Sequence, residues 1–125
     1  MRVDTEPWWR QAEADLETAE HLLTGGRWYA VSWFSHQATE KGIKALYIEQ
    51  AGQPANRIHD LEVLGHRVGA PPAVILDLVL LDPMFGAVRY PNAAGIAPVD
   101  RITRGRATRD IEAARRAMAW VKSQL

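Results

Sequence analysis

The chain has 125 residues, 47% of them hydrophobic and 24% charged, which suits one domain with a real core and is too short for two. Fifteen basic residues balance fifteen acidic ones, so no global field favours nucleic acid or a membrane surface. There is no cysteine, which excludes a disulfide scaffold and a thiolate metal site.

The N-terminal stretch MRVDTEPWWRQAEADLE has no apolar leader segment, and no apolar run is long enough to span a bilayer. The expectation is a soluble, cytoplasmic protein. The first helix is predicted from Glu6, with Thr5 as N-cap and Pro7 in the first turn, where a missing N–H costs nothing. Trp9, Ala12, Leu16, Ala19 and Leu23 recur at helical spacing and form a buried stripe. Glu13, Asp15, Glu17 and Glu20 read as a solvated acidic flank, and Thr24–Gly26 ends the helix.

A second helix is predicted over Trp28–Gln50. Val31, Phe34, Ala38, Gly42 and Ala45 fall on one face, small enough for another backbone to approach closely. Trp33, Gln37, Glu40 and Lys44 share the adjoining face, with Lys41 at its border. Glu40 and Lys44 stand in the favoured order for an ion pair one turn apart. Ala51–Arg57 is a loop. A short helix follows with Asp60 as cap and Gly69 as stop, then a nearly all-apolar helix opening at Pro71–Pro72, which predicts burial on most sides. Pro83 kinks or ends it, and a shorter piece finishes at Val88–Pro91. Asn92–Ala107 reads as a long loop carrying Arg101, Arg104 and Arg106, and the last helix starts near Thr108 with Ile111, Ala114, Met118, Val121 and Leu125 as its stripe. No segment alternates with the period of a strand. The fold class is all-α: an up-and-down bundle of about five helices, a four-helix core plus a short helix, in a single domain over 1–125.

Standard catalytic signatures are absent. The four histidines, His21, His36, His59 and His66, include no pair one turn apart and no HExxH. The serines lie in no glycine elbow and no phosphate loop appears, so no catalytic residue, metal ligand or cofactor is assigned.

Several blocks, in order, carry a family likeness: Asp15-Leu16 with Ala19; Gln37-Ala38-x-Glu40-Lys41-x-x-Lys44-Ala45; His59-Asp60-Leu61; and Arg89-Tyr90-Pro91. Spanning nearly the whole chain, they resemble the small prokaryotic HEPN domain (higher eukaryotes and prokaryotes nucleotide-binding), in its stand-alone form with an RYP motif. The resemblance implies a helical bundle that dimerises and a minimal nucleotidyltransferase as partner, in two-gene modules that behave as toxin and antitoxin. Many relatives are metal-independent ribonucleases marked by an Arg followed four to six residues later by His. Here Arg57 is followed by His59 and His66, which leaves gaps of one and eight, so that activity is not carried over.

The resemblance makes Gln37, Lys41, Lys44, His59, Arg89 and Tyr90 the candidate ligand-binding set: a polar groove for a nucleotide phosphate or a partner's carboxylates. The alternatives are a divergent RNA-cleaving toxin built on His59 and a purely structural interaction module.

Overall fold

The computed structural model describes residues 1–125 and contains seven helices and no strand. These are α1 (Glu6–Thr24), α2 (Trp28–Ala51), α3 (Leu61–Arg67), α4 (Pro72–Leu81), α5 (Met84–Ala87), α6 (Pro98–Arg101) and α7 (Arg104–Gln124). Helix α2 lies at the centre. It packs along α1 on one side and α7 on the other, while α4 closes against α7 and carries α3. The four longer helices with α3 are the bundle expected from the sequence.

The stripes foreseen in α1, α2 and α7 meet in one core. Trp9, Ala12, Ala45, Ala114, Met118 and Val121 are buried together with Leu46, Leu61, Leu78 and Leu81. Gly42 explains its cost in helix propensity, about 1 kcal/mol: a Cβ there would stand 2.6 Å from Met118 Sδ. Between α1 and α2 the chain reverses within Gly25–Arg27, and Gly26 takes the left-handed φ of 73° that such a turn requires.

Five local expectations are corrected. Thr5 is not an N-cap: its backbone is already helical and its side chain makes no capping bond. The first turn instead hangs on Arg2, whose carbonyl accepts from Thr5 and Glu6 N–H while its own N–H donates to Glu49 on α2. Asp15 is not part of a solvated flank; it is buried and accepts from Lys41 at 2.5 Å and Gln11 at 2.9 Å.

Helix α4 is not covered all round. Leu76 is 72% exposed and Val79 45%, because α4 packs on α3, α7 and α2 but nothing lies over its outer face. Helix α7 starts at Arg104, not near Thr108, since Thr103 Oγ1 accepts from Arg106 N–H at 3.0 Å and caps it. The arginine run is consequently not part of one long loop. Arg101 donates to the Ala87 carbonyl, and Arg106 donates to the Leu80 carbonyl while pairing with Asp110.

Candidate functional site

The face of α2 that carries the polar residues is closed by α5 and by the segment before α3. The centre of that contact is Glu40, whose side chain is only 7% exposed. Its carboxylate accepts from Lys44 Nζ at 3.0 Å, and both oxygens lie 3.1 Å from Nδ1 of His59. A buried ionised carboxylate needs such partners to offset the loss of water. Lys44 is itself buried, 5% exposed, with the Trp8 ring 5.9 Å away. The ion pair foreseen from the one-turn spacing is therefore an interior one.

His59 stands in the loop just before Asp60, the cap of α3, which accepts from Val63 N–H. Its side chain is 48% exposed. The ring stacks on Phe85 of α5, with centroids 4.4 Å apart. Because the carboxylate only accepts, Nδ1 carries the proton and Nε2, which has no protein partner, is left for a ligand or solvent.

One turn before Glu40 lies His36, wholly buried beside Trp33 and Phe85. Burial lowers its pKa to about 4; Glu40 raises it in part, and the neighbouring His59 and Lys44 lower it again. A neutral ring fits its contacts, since Gln37 Nε2 stands 3.5 Å from His36 Nδ1 and can donate to it.

Arg89, just past α5, is the other half of the site. Its guanidinium lies 4.9 Å from the Phe85 ring centroid, 5.8 Å from that of Trp33 and 5.6 Å from that of Tyr90. It is exposed and forms no ion pair. Beside it opens a hollow of about 440 Å³, lined by Tyr29, Ala30, Trp33, Phe34, Val88, Arg89 and Tyr90. Aromatic walls with one unmatched guanidinium suit a flat ring bearing an anion.

Of the six residues singled out from the sequence, His59 and Arg89 share the Phe85 ring and Tyr90 lies under Arg89. Gln37 reaches them only through His36. Lys44 is consumed by Glu40, and Lys41 turns to Asp15 on α1, so neither lysine offers a free charge beside Arg89. Sequence reasoning missed His36, Phe85, Tyr29 and Phe34 as parts of the site and gave Glu40 no central role. The spacing of His36 and Glu40, one turn apart on a single helix, was a usable signal for the first. Nothing local marks Phe85. No group of three or more His, Cys, Asp or Glu side chains is arranged to hold a metal ion, and no helix is long and apolar enough to cross a membrane.

Comparison with known proteins gives the fold a family. The crystal structure of TT1696 from Thermus thermophilus superposes with a TM-score of 0.88 over 99% of this chain and 100% of that one, at 24% identity. That of ST0689, described as an archaeal HEPN homologue, is 32% identical with a TM-score of 0.81, covering 99% of this chain and 98% of that one. No curated protein matches. The family model for the HEPN domain matches residues 5–124, nearly every residue from which the bundle and its polar site are built, and the chain belongs to the HEPN domain family.

Proposed function

We propose that this chain is a helical module that binds a nucleotide or another aromatic phosphate at the Arg89 hollow, pairs with a second copy of itself, and works beside a minimal nucleotidyltransferase in a two-gene module. The single observation that carries the binding reading is Arg89: an exposed guanidinium with no carboxylate partner, lying over Trp33, Phe85 and Tyr90 at the mouth of an aromatic hollow. A base or nucleoside fits between the rings and its phosphate meets the fork of Arg89, where two parallel N–H donors match two phosphate oxygens. His59 Nε2, on the same Phe85 ring, adds a second polar contact.

Calorimetry with AMP, ATP and GTP tests this. Binding is expected in the wild type and a loss of about ten-fold or more in Arg89→Ala, equivalent to roughly 1.4 kcal/mol. Equal affinity in the two proteins sinks the Arg89 site, and no heat with any nucleotide at millimolar concentration sinks nucleotide binding altogether. Family membership supports the second copy and the partner. An adjacent gene for a short nucleotidyltransferase whose product co-purifies with this chain is the expected finding, and its lack removes the partner.

RNA cleavage is a second reading, favoured by the contact of Glu40 with His59. Glu40 fixes the ring so that Nε2 can take the proton of a ribose 2′-hydroxyl, whose oxygen then bonds to phosphorus as the 5′-oxygen departs and is protonated. Arg89 would hold the phosphate. Wild-type protein that leaves a labelled RNA intact, or a His59→Ala variant that cuts it as fast, removes this reading.

A further inference from the structure

Two anchors bracket the chain between α4 and α7. Asp82 is fixed where it accepts from Leu61 and Glu62 N–H, and Thr103 where it caps α7. Between them, residues 83–102 hold α5, the following loop and α6, and both short helices pack chiefly on α2.

This segment is bonded to itself and not to its seat. Arg101 donates to the Ala87 carbonyl, which ties α6 to α5. Asn92 Oδ1 accepts from Ala94 and Ile96 N–H, and Asn92 N–H donates to the Ile96 carbonyl, which closes the loop. Apart from Phe85 N–H on the Asp82 carbonyl at the hinge, no hydrogen bond or ion pair joins the segment to another element. Side-chain packing alone seats it. Met84, Val88 and Ile102 are buried against Trp28, Tyr29 and Trp33, in a cluster separate from the main core. Phe85 adds its ring 5.6 Å from that of His36, whose wholly buried Nε2 finds no partner. A buried nitrogen left unpaired is costly, and lifting the segment gives it to water. Few buried apolar groups and no cross-bonds let one region open ahead of the rest.

We propose that residues 83–102 form a hinged strap, which lifts from α2 as one unit about Asp82–Pro83 and Ile102–Thr103 while α1–α4 and α7 stay folded. The Arg89 hollow lies on that seam: Val88, Arg89 and Tyr90 belong to the strap, Tyr29 and Trp33 to α2. Lifting also parts Phe85 from His59. A ligand gripped by both walls therefore holds the strap shut, as closing loops hold substrates. That gating rests on the reading of the hollow as a nucleotide site; the hinging does not.

The test is amide hydrogen exchange of the full chain across low urea concentrations, read by NMR. Ala87 and Ile102 N–H donate to the Pro83 and Pro98 carbonyls. They should share one protection, at least about ten-fold below that of Ile43 in the core, and respond little to urea while Ile43 responds steeply. Val121→Ala, in the main core, should speed exchange at Ile43 about ten-fold. It should leave Ala87 and Ile102 unaltered, since lifting the strap keeps that core intact. AMP at ten times its Kd should slow both strap amides about ten-fold, as expected for a ligand that binds only the closed form.

Strap amides that match Ile43 in rate, urea response and sensitivity to Val121→Ala overturn the hinge, because the segment then opens only with the whole molecule. Unequal protection at Ala87 and Ile102 overturns the single unit. AMP that binds without slowing them overturns the gating. Absence of AMP binding strikes the nucleotide reading and the gating with it, while the urea series decides the hinge by itself.

Discussion

Glu40 joins three side chains, two from its own helix one turn to either side and one from the loop before α3. Lys44 and His59 share its carboxylate, and His36 stands 4.0 Å from Oε1. His36 is the residue whose charge the fold resists most. Its pKa falls from 6.5 to about 4 on folding, chiefly through burial. The unfolded chain therefore binds the proton more readily than the folded one. The contribution is fully present above about pH 6.5, is lost as pH falls towards 4, and is constant below that. The stake is about 3 kcal/mol for a shift of this size. Urea unfolding between pH 7.5 and 4 should show that loss in the wild type, and His36→Gln should flatten the difference between the ends of the range. Asp82 and Asp110, whose carboxyls burial pushes up, act in the opposite sense, which is why the comparison with the variant is the measure. Equal pH slopes in the two proteins would refute the assignment to His36.

Among the elements, α3 shows how a short helix is held. Seven residues are too few to be stable alone, and its first N–H groups are satisfied from two directions. Asp60 accepts from Val63, while Asp82, arriving from the end of α4, accepts from Leu61 at 2.6 Å and Glu62 at 3.2 Å. Replacing Asp82 by Ala should cost about 2 kcal/mol, in the range of hydrogen bonds to a charged group. Amide exchange would show it as faster exchange at Leu61 and Glu62 than at Ile43 in the core; unchanged protection there would contradict it. The Asp60 cap was legible because Ser, Thr, Asp and Asn at such positions accept from a nearby N–H. The second carboxylate was not, since its arrival depends on the angle at which α4 returns. The early start of α7 was missed for a related reason. Arginine is a good helix former, yet the run Arg101–Arg109 reads as charge until Thr103 is seen to cap it.

Across the whole molecule, one interior ion pair ties the start of α7 into the core. Arg106 pairs with Asp110, which is completely buried, and reaches across to α4 at the Leu80 carbonyl. Arg106→Ala should destabilise the protein by about 3 kcal/mol near neutral pH, the cost of an interior charge left without its partner. Burial already raises the Asp110 pKa, and Arg106 opposes that rise. Without Arg106 the folded-state value climbs further, so the deficit is largest above it and narrows as acid neutralises the carboxyl. Thermal melts of the two proteins at pH 7 and pH 4.5 should therefore differ more at the higher pH. The same difference at both would mean that Arg106 acts by packing alone.

The sequence by itself determined that this chain is a helical bundle whose second helix carries a small-residue face, which stripes form its core, and that Arg89 and His59 belong to the polar blocks that stand out from it. The bundle and its stripes follow from the period of apolar residues and from caps and breakers, and the polar blocks from their resemblance to a known family. Only the tertiary structure decided that Lys41 and Lys44 are spent on Asp15 and Glu40, that Phe85 brings His59 and Arg89 together, and that α4 leaves Leu76 uncovered. Helical periodicity assigns a residue to a face; which helix covers that face, and whether a charge there meets a partner or water, is set by contacts between residues distant along the chain.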